Sequence, residues 1–339
     1  MAKLLQMPKG VALVGSGSAT PSQKLTNEQL GLRVETNDSW IRSRTGITER
    51  RVSTPLETLS VLSYMAADSA LKMAGWDASS LDLVVLATST PDDLFGSAPA
   101  VQAKLGASNA GAFDLTAACS GFLFALITAA QYLRSGSMQR VLVIGADQLT
   151  RWIDWDDRRS CVLFGDGAGA VALQATDYGN DGLIGFKLKS DGSRGNCLNL
   201  NQIESSLPLV NGISHQKGGF SPIRMNGQEV YKFAVREVPS ILDELLLSNQ
   251  ISPDSLDWLL LHQANKRILD SVADRFSIPH EKVLSNLANY GNTSAATIPL
   301  MLDEAVRDGR VKPSHLIASS GFGAGLSWGA ALFRWHGPA

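Results

Sequence analysis

The chain has 339 residues, 44% hydrophobic and 18% charged, which is enough apolar material for a substantial core and excludes wholesale disorder. Its formal net charge of -2 gives no global attraction to nucleic acid. Three cysteines, at 119, 161 and 197, form no CxxC pair and suggest neither a disulfide framework nor a cysteine-rich metal site.

That length allows two ordinary domains or one pair of fused halves. Near the N-terminus stand Lys3 and Lys9, but the apolar stretch Val11 to Val14 is too short for a signal peptide. No apolar run approaches a membrane span, so a soluble protein of a reducing cytoplasm is expected. Val11 to Val14 reads as a buried strand, and Gly15-Ser16-Gly17, with no third glycine at nucleotide-loop spacing, reads as a plain turn. Asp38 is expected to cap a short helix with Trp40 and Arg44 on one face. An aromatic plane and a guanidinium one turn apart can sandwich an adenine ring or simply pack on the surface. Thr58 to Ala74 reads as an amphipathic helix stopped at Gly75, and Leu81 to Thr88 as a buried strand.

Next, Ala112 to Leu115 reads as a strand end, followed by a small-residue turn and an apolar helix from Phe122 to Arg134, closed by Gly136. Cys119 therefore stands where a strand gives way to a helix N-terminus, a setting whose N–H groups and dipole favour thiolate. A small, buried and inert cysteine fits the same stretch. Arg140 to Gly145 is another buried strand. In Phe164-Gly165-Asp166-Gly167-Ala168-Gly169 the glycines precede a strand, which argues for close-packing and turn glycines and against a dinucleotide fingerprint. Residues 175 to 222, rich in Gly, Asn and Ser, read as loops and edge strands at the boundary between halves. Beyond them the expected elements are helix 227 to 248, strand 258 to 261, and helices 265 to 276 and 295 to 308. Strands at 316 to 320 and 330 to 334 flank the turn Gly321 to Gly325.

An internal repeat runs through this order. Ser79-Ser80-Leu81-Asp82-Leu83-Val84-Val85-Leu86 matches Asp254-Ser255-Leu256-Asp257-Trp258-Leu259-Leu260-Leu261, and Phe164-Gly165-Asp166-Gly167 echoes Phe322-Gly323-Ala324-Gly325. Two fused βα halves with the same element order are the economical reading, 1–178 and 179–339. In such halves sites form where strand ends and helix starts converge. Cys119, His262 (after Leu259-Leu260-Leu261) and Asn292 (before a helix) each stand at such a junction. Alone, His262 reads first as a satisfied buried histidine and Asn292 as a helix cap.

Taken together, these residues and their flanks resemble the thiolase-fold condensing enzymes, and within them the initiating β-ketoacyl-acyl-carrier-protein synthase III family. The segments that carry the resemblance are Trp40-Ile41-Arg42-Ser43-Arg44-Thr45-Gly46-Ile47, Ala117-Ala118-Cys119-Ser120-Gly121-Phe122, Phe164 to Gly169, His262-Gln263-Ala264-Asn265, Gly291-Asn292-Thr293-Ser294 and Gly323-Ala324-Gly325. The resemblance implies a layered α-β-α-β-α fold. It also implies a decarboxylative Claisen condensation of an acyl-coenzyme A, acetyl by expectation, with malonyl-acyl-carrier protein in fatty-acid synthesis. Cys119 would carry the acyl group, with the N–H groups of Cys119 and Ala324 as oxyanion hole, and His262 and Asn292 would hold the enolate, His262 donating from Nε2 as a neutral ring. No metal or redox cofactor is implied.

By the same resemblance, Trp40, Arg44 and Arg158 would contact coenzyme A. Phe95 would line the acyl pocket across a homodimer interface. Gln263, Ala264, Asn265, Lys266, Arg267, Lys232 and Arg275 would meet the acidic carrier protein. The chain departs from a relative at Ala324, where that relative has glycine, and at Asp274, where it is basic; an alanine still donates its N–H if its φ stays negative. Three alternatives remain at this stage: a cysteine thioester hydrolase, a non-catalytic partner on the same fold, and a relative that starts polyketide synthesis.

Overall fold

The computed structural model describes residues 9–338, so Lys3 lies outside the described part. Two sheets dominate it. The first has the strand order Lys9–Ala19, Asp166–Asp177, Arg140–Gln148, Leu83–Ala87, Gly111–Leu115. The second runs Leu183–Ser190, Ser327–Arg334, Leu316–Gly323, Trp258–Leu261. Directions match position by position: two antiparallel pairings, then a parallel one. Where the first sheet adds Gly111–Leu115, the second has only a parallel bridge from Leu259 to Val283. The sequence repeat is thus a repeat of topology, with a 3-10 turn before each equivalent strand, Ala78–Ser80 and Pro253–Ser255.

Side-chain alternation sorts the layers. In Leu83–Ala87, Val84 and Leu86 pack outward under helix Leu59–Ala74, while Leu83, Val85 and Ala87 face inward. The inner faces of both sheets enclose helices Gly121–Arg134 and Thr297–Arg307, through residues such as Phe122, Leu126, Ile298 and Leu302. Helices Gly227–Ser248 and Lys266–Arg275 cover the far face of the second sheet. The result is the layered α-β-α-β-α arrangement. Its middle core takes residues from both halves, and the 178/179 boundary falls in the Tyr178–Asn180 turn between the sheets.

Several local expectations change. Gly15 and Gly17 are inside strand Lys9–Ala19, not in a turn, because helix Leu59–Ala74 crosses so close that a Cβ at Gly17 would lie 2.1 Å from the Ala66 carbonyl oxygen. Asn37, not Asp38, caps helix Asp38–Thr45 by accepting from the Trp40 N–H. Ser135, not Gly136, is the C-cap of Gly121–Arg134, with Gly136 one residue on at φ 73°. Helix Gly227–Ser248 spans the expected range.

Candidate active site

Cys119 lies in the 3-10 turn Ala118–Ser120 that leads into helix Gly121–Arg134. Ala118, just before it, has φ 48°, a conformation that is strained for a residue with a Cβ and turns the chain sharply at Cys119. The loop after strand Leu316–Gly323 closes over this turn: a Cβ at Gly323 would come 2.5 Å from the Cys119 N–H nitrogen. Ala324 lines the same cavity as Cys119, and its φ is not positive.

The sulfur's electrostatics correct the sequence reading. Cys119 is buried, and that burial pushes its thiol up to about 12; the nearby Asp147 carboxylate raises it further and a hydrogen bond from Ser294 opposes the rise. Desolvation outweighs the helix N-terminus, so the side chain is a thiol near neutral pH.

His262 follows strand Trp258–Leu261, its N–H donating to the Ser320 carbonyl at 2.8 Å. The ring is buried edge-on to Phe322 at 5.4 Å, and burial lowers its pKa to about 3, so it is neutral. Its Nδ1 lies 2.7 Å from Thr297 Oγ1. Asn292 is stitched to the first half by two backbone bonds, its N–H to the Leu163 carbonyl (2.9 Å) and the Gly165 N–H to its own carbonyl (3.0 Å). The Asn292 Oδ1 accepts from the Ser294 N–H at 2.9 Å, which leaves the amide NH2 as the side chain's donor end.

Ser294 stands in a segment that carried the resemblance but was given no role of its own, yet it links the three. Its N–H orients Asn292, its hydroxyl donates to Cys119 Sγ at 3.4 Å, and its carbonyl oxygen lies 3.1 Å from the Thr297 hydroxyl beside His262. It does so at φ 53°, again in the left-handed region. Asp147 was missed as well. Its buried carboxylate accepts from Thr88, Ser89 and Thr90 of one half and from the Ala295 N–H of the other, while burial raises its pKa. An aspartate at the end of the apolar strand Arg140–Gln148 was the available signal.

Cys119 stands where two spaces meet. One is a channel of about 230 Å³ whose walls include Cys119, His262 and Asn292 at one end and Trp40, Arg44 and Arg158 at the other. The second is a mostly apolar cavity of about 460 Å³, walled by Leu94, Leu149, Trp152, Phe164 and Phe220 among others. Phe95 is 98% exposed and lines a separate groove beside Phe113 and Leu115, not its own chain's Cys119 cavity. At the outer mouth, Arg158 lies over the Trp40 ring at 5.4 Å, so the guanidinium facing that ring comes from a separate loop rather than from Arg44.

The expected carrier-protein surface divides. Gln263 is buried, with its amide bonded to the Leu261 and Leu284 carbonyls and to Ser285, so it belongs to the interior and not to a docking face. Asn265 caps helix Lys266–Arg275 and donates to the Arg44 carbonyl, and Ala264 packs against the core. Lys266, Arg267, Lys232 and Arg275 are exposed. Lys266 pairs with Asp270, Lys232 with Glu229, and Arg267 lies over Tyr231. Asp274 is partnered by His280 at 2.9 Å.

Two family profiles match the chain: 3-oxoacyl-[acyl-carrier-protein (ACP)] synthase III over residues 113–192 and the synthase III C-terminal profile over residues 246–335. A beta-ketoacyl-[acyl-carrier-protein] synthase III of Prochlorococcus marinus (strain MIT 9313) is 74% identical over 338 residues, covering 100% of both chains. Among solved structures, the 3-oxoacyl-[acyl-carrier-protein] synthase III of Aquifex aeolicus VF5 superposes with TM-score 0.88 at 40% identity, covering 96% of this chain and 100% of that one. The priming beta-ketosynthase of the R1128 polyketide pathway gives TM-score 0.90 at 32% identity, covering 100% of each.

Proposed function

The chain belongs to the β-ketoacyl-[acyl-carrier-protein] synthase III family, and we propose from that membership and from the site how its residues divide the work. The protein is an acyltransferase of the initiating condensation in fatty-acid synthesis, acting on acyl-coenzyme A and an acyl-carrier protein. Cys119 attacks the thioester carbonyl of acyl-coenzyme A. As the new C–S bond forms and the bond to coenzyme A breaks, the thiol proton ends on the departing coenzyme A sulfur. Backbone N–H groups of Cys119 and Ala324 hold the oxyanion.

Malonyl-acyl-carrier protein then loses CO2. The enolate oxygen takes hydrogen bonds from His262 Nε2 and the Asn292 amide, and its carbon attacks the acyl-Cys119 carbonyl; the C–S bond breaks and the released Cys119 thiolate takes a proton from water. Neutral His262 suits this step, because decarboxylation needs a donor to a developing negative charge rather than a free proton. No metal or redox group is called for in this scheme.

The observation that carries the reading is the convergence of Cys119, His262 and Asn292 on one channel that also reaches Trp40 and Arg158. Trp40, Arg44 and Arg158 hold the coenzyme A nucleotide, Arg158 lifting off the ring to admit a base. Lys266, Arg267, Lys232 and Arg275 meet the acidic carrier protein. The protein acts as a cytoplasmic homodimer in which Phe95 reaches the partner's acyl cavity. Among the described residues no helix is long and apolar enough to cross a membrane.

Intact-protein mass spectrometry with acetyl-coenzyme A tests this directly. One acetyl group on Cys119, discharged by malonyl-acyl-carrier protein into a β-ketoacyl product, is expected. Acylation only by a longer or branched donor would keep the chemistry and change the primer. Release of free acid without carbon–carbon bond formation would favour a hydrolase. Cys119→Ala abolishes acylation, whereas His262→Ala and Asn292→Ala acylate but fail to condense, each by about a hundredfold or more; normal condensation in either would overturn its donor role.

A further inference from the structure

The enolate-holding role proposed for His262 requires a proton on Nε2, and a neutral imidazole carries only one. Something must therefore keep that proton off Nδ1. Among the described residues the one hydrogen-bond partner of Nδ1 is Thr297 Oγ1, at 2.7 Å, and both side chains are buried.

Thr297 has a single hydroxyl proton and two acceptors within reach, His262 Nδ1 at 2.7 Å and the Ser294 carbonyl at 3.1 Å. If the proton goes to Ser294, Nδ1 must be the protonated nitrogen and Nε2 faces the channel as an acceptor. If it goes to Nδ1, Nε2 faces the channel as a donor. A threonine hydroxyl in the first turn of a helix often bonds back to a carbonyl three or four residues earlier, so the first arrangement is a real competitor. Here that carbonyl keeps a donor without the hydroxyl, because the Thr297 backbone N–H itself donates to the Ser294 oxygen. Nδ1, as an acceptor, has no other donor. The nitrogen contact is also the shorter of the two.

We propose that Thr297 is the positioning residue that fixes the tautomer of His262, its hydroxyl donating to Nδ1 so that Nε2–H points at the reacting thioester. The same bond occupies the Nδ1 lone pair and so opposes a second proton on the ring, in line with the burial that keeps the ring neutral. This inference deepens the function proposed above and rests on it for the consequence, though not for the tautomer itself.

The test uses the full-length enzyme labelled with 15N-histidine, the His262 signals among the five histidines being assigned by their loss in His262→Gln. Nitrogen shifts and one-bond N–H couplings then report which ring nitrogen is protonated, alongside separate measurement of Cys119 acylation and of condensation. In the unaltered protein and in Thr297→Ser, Nε2 is expected to carry the proton. In the near-isosteric Thr297→Val, the proton shifts toward Nδ1. Condensation then falls by about ten- to a hundredfold, while acylation by acetyl-coenzyme A stays within about twofold.

A protonated Nδ1 in the unaltered protein overturns the inference, and so does an unchanged tautomer in Thr297→Val. Should Thr297→Val be too unstable to study, the Nδ1 state of the unaltered protein and of Thr297→Ser still decides it. A shifted tautomer with unimpaired condensation would uphold the role of Thr297 and overturn the donor role of His262, which keeps the two failures apart.

Discussion

At Cys119 two opposing effects act on one sulfur. The helix start favours the thiolate and burial disfavours it, and burial dominates, lifting the thiol to about 12. Alkylation of Cys119 by iodoacetamide is therefore expected to rise about tenfold per pH unit from pH 6 to 9 without levelling. A plateau near neutrality, read by peptide mapping, would show the helix N-terminus prevailing. His262 makes a prediction about stability. Its folded pKa is lowered from 6.5 to about 3, so between those values the unfolded chain binds a proton that the folded chain does not. That stability is complete above about pH 6.5 and is lost as pH falls toward 3, at about 1.4 kcal/mol per pH unit. Urea titrations should show this slope reduced by that amount in His262→Gln. Cys119, His262 and Asn292 were legible as candidates because each keeps recognisable flanks. Ser294, Thr297 and Asp147 were not, since serine, threonine and aspartate have many ordinary uses and only their partners distinguish them.

Among the elements, helices with a strong apolar period were readable from sequence, Gly227–Ser248 above all, because burial of one face is a local pattern. The caps slipped by one residue locally, whereas the misread glycines depended on a neighbour distant in the chain. Gly15 and Gly17 look like a turn until helix Leu59–Ala74 lies across them. The segments beside Cys119 and Asn292 depend on similar close approaches. Gly291 has φ 64° and ψ −156°, and a Cβ there would lie 2.7 Å from the Leu163 carbonyl oxygen, beside the backbone bonds that hold Asn292. Gly291→Ala is expected to destabilise the protein by about 1–3 kcal/mol in chemical denaturation and to reduce condensation more than acylation. Gly323→Ala, which would crowd the Cys119 N–H at 2.5 Å, should reverse that order and impair acylation first. Equal losses of both half-reactions in both variants would mean that the loops are coupled and not separately placed.

For the whole molecule, the notable exposure is Leu94 and Phe95, 83% and 98% accessible, next to the edge strand Gly111–Leu115. An apolar loop beside an unpaired sheet edge is a surface that a second copy can cover. Phe95→Asp is expected to shift the protein toward monomer in light scattering and to weaken acylation by acetyl-coenzyme A at least several-fold. A Phe95→Asp protein that remains dimeric with unchanged acyl preference would remove Phe95 from both interface and pocket. At the channel mouth, Trp40→Ala should raise KM for acyl-coenzyme A by about tenfold with little change in kcat, if the ring has the binding role proposed for it.

The amino-acid sequence by itself determined the duplicated βα order, the junction positions of Cys119, His262 and Asn292, and the family to which they point. These depend on periodicity and short flanks, which are local. Only the tertiary structure decided that Gln263 is an interior residue, that Arg158 and not Arg44 covers Trp40, that the Cys119 thiol is neutral, and that one threonine faces His262 Nδ1. Each of those depends on desolvation or on a partner from elsewhere in the chain, and neither exists until the two halves close around their common core.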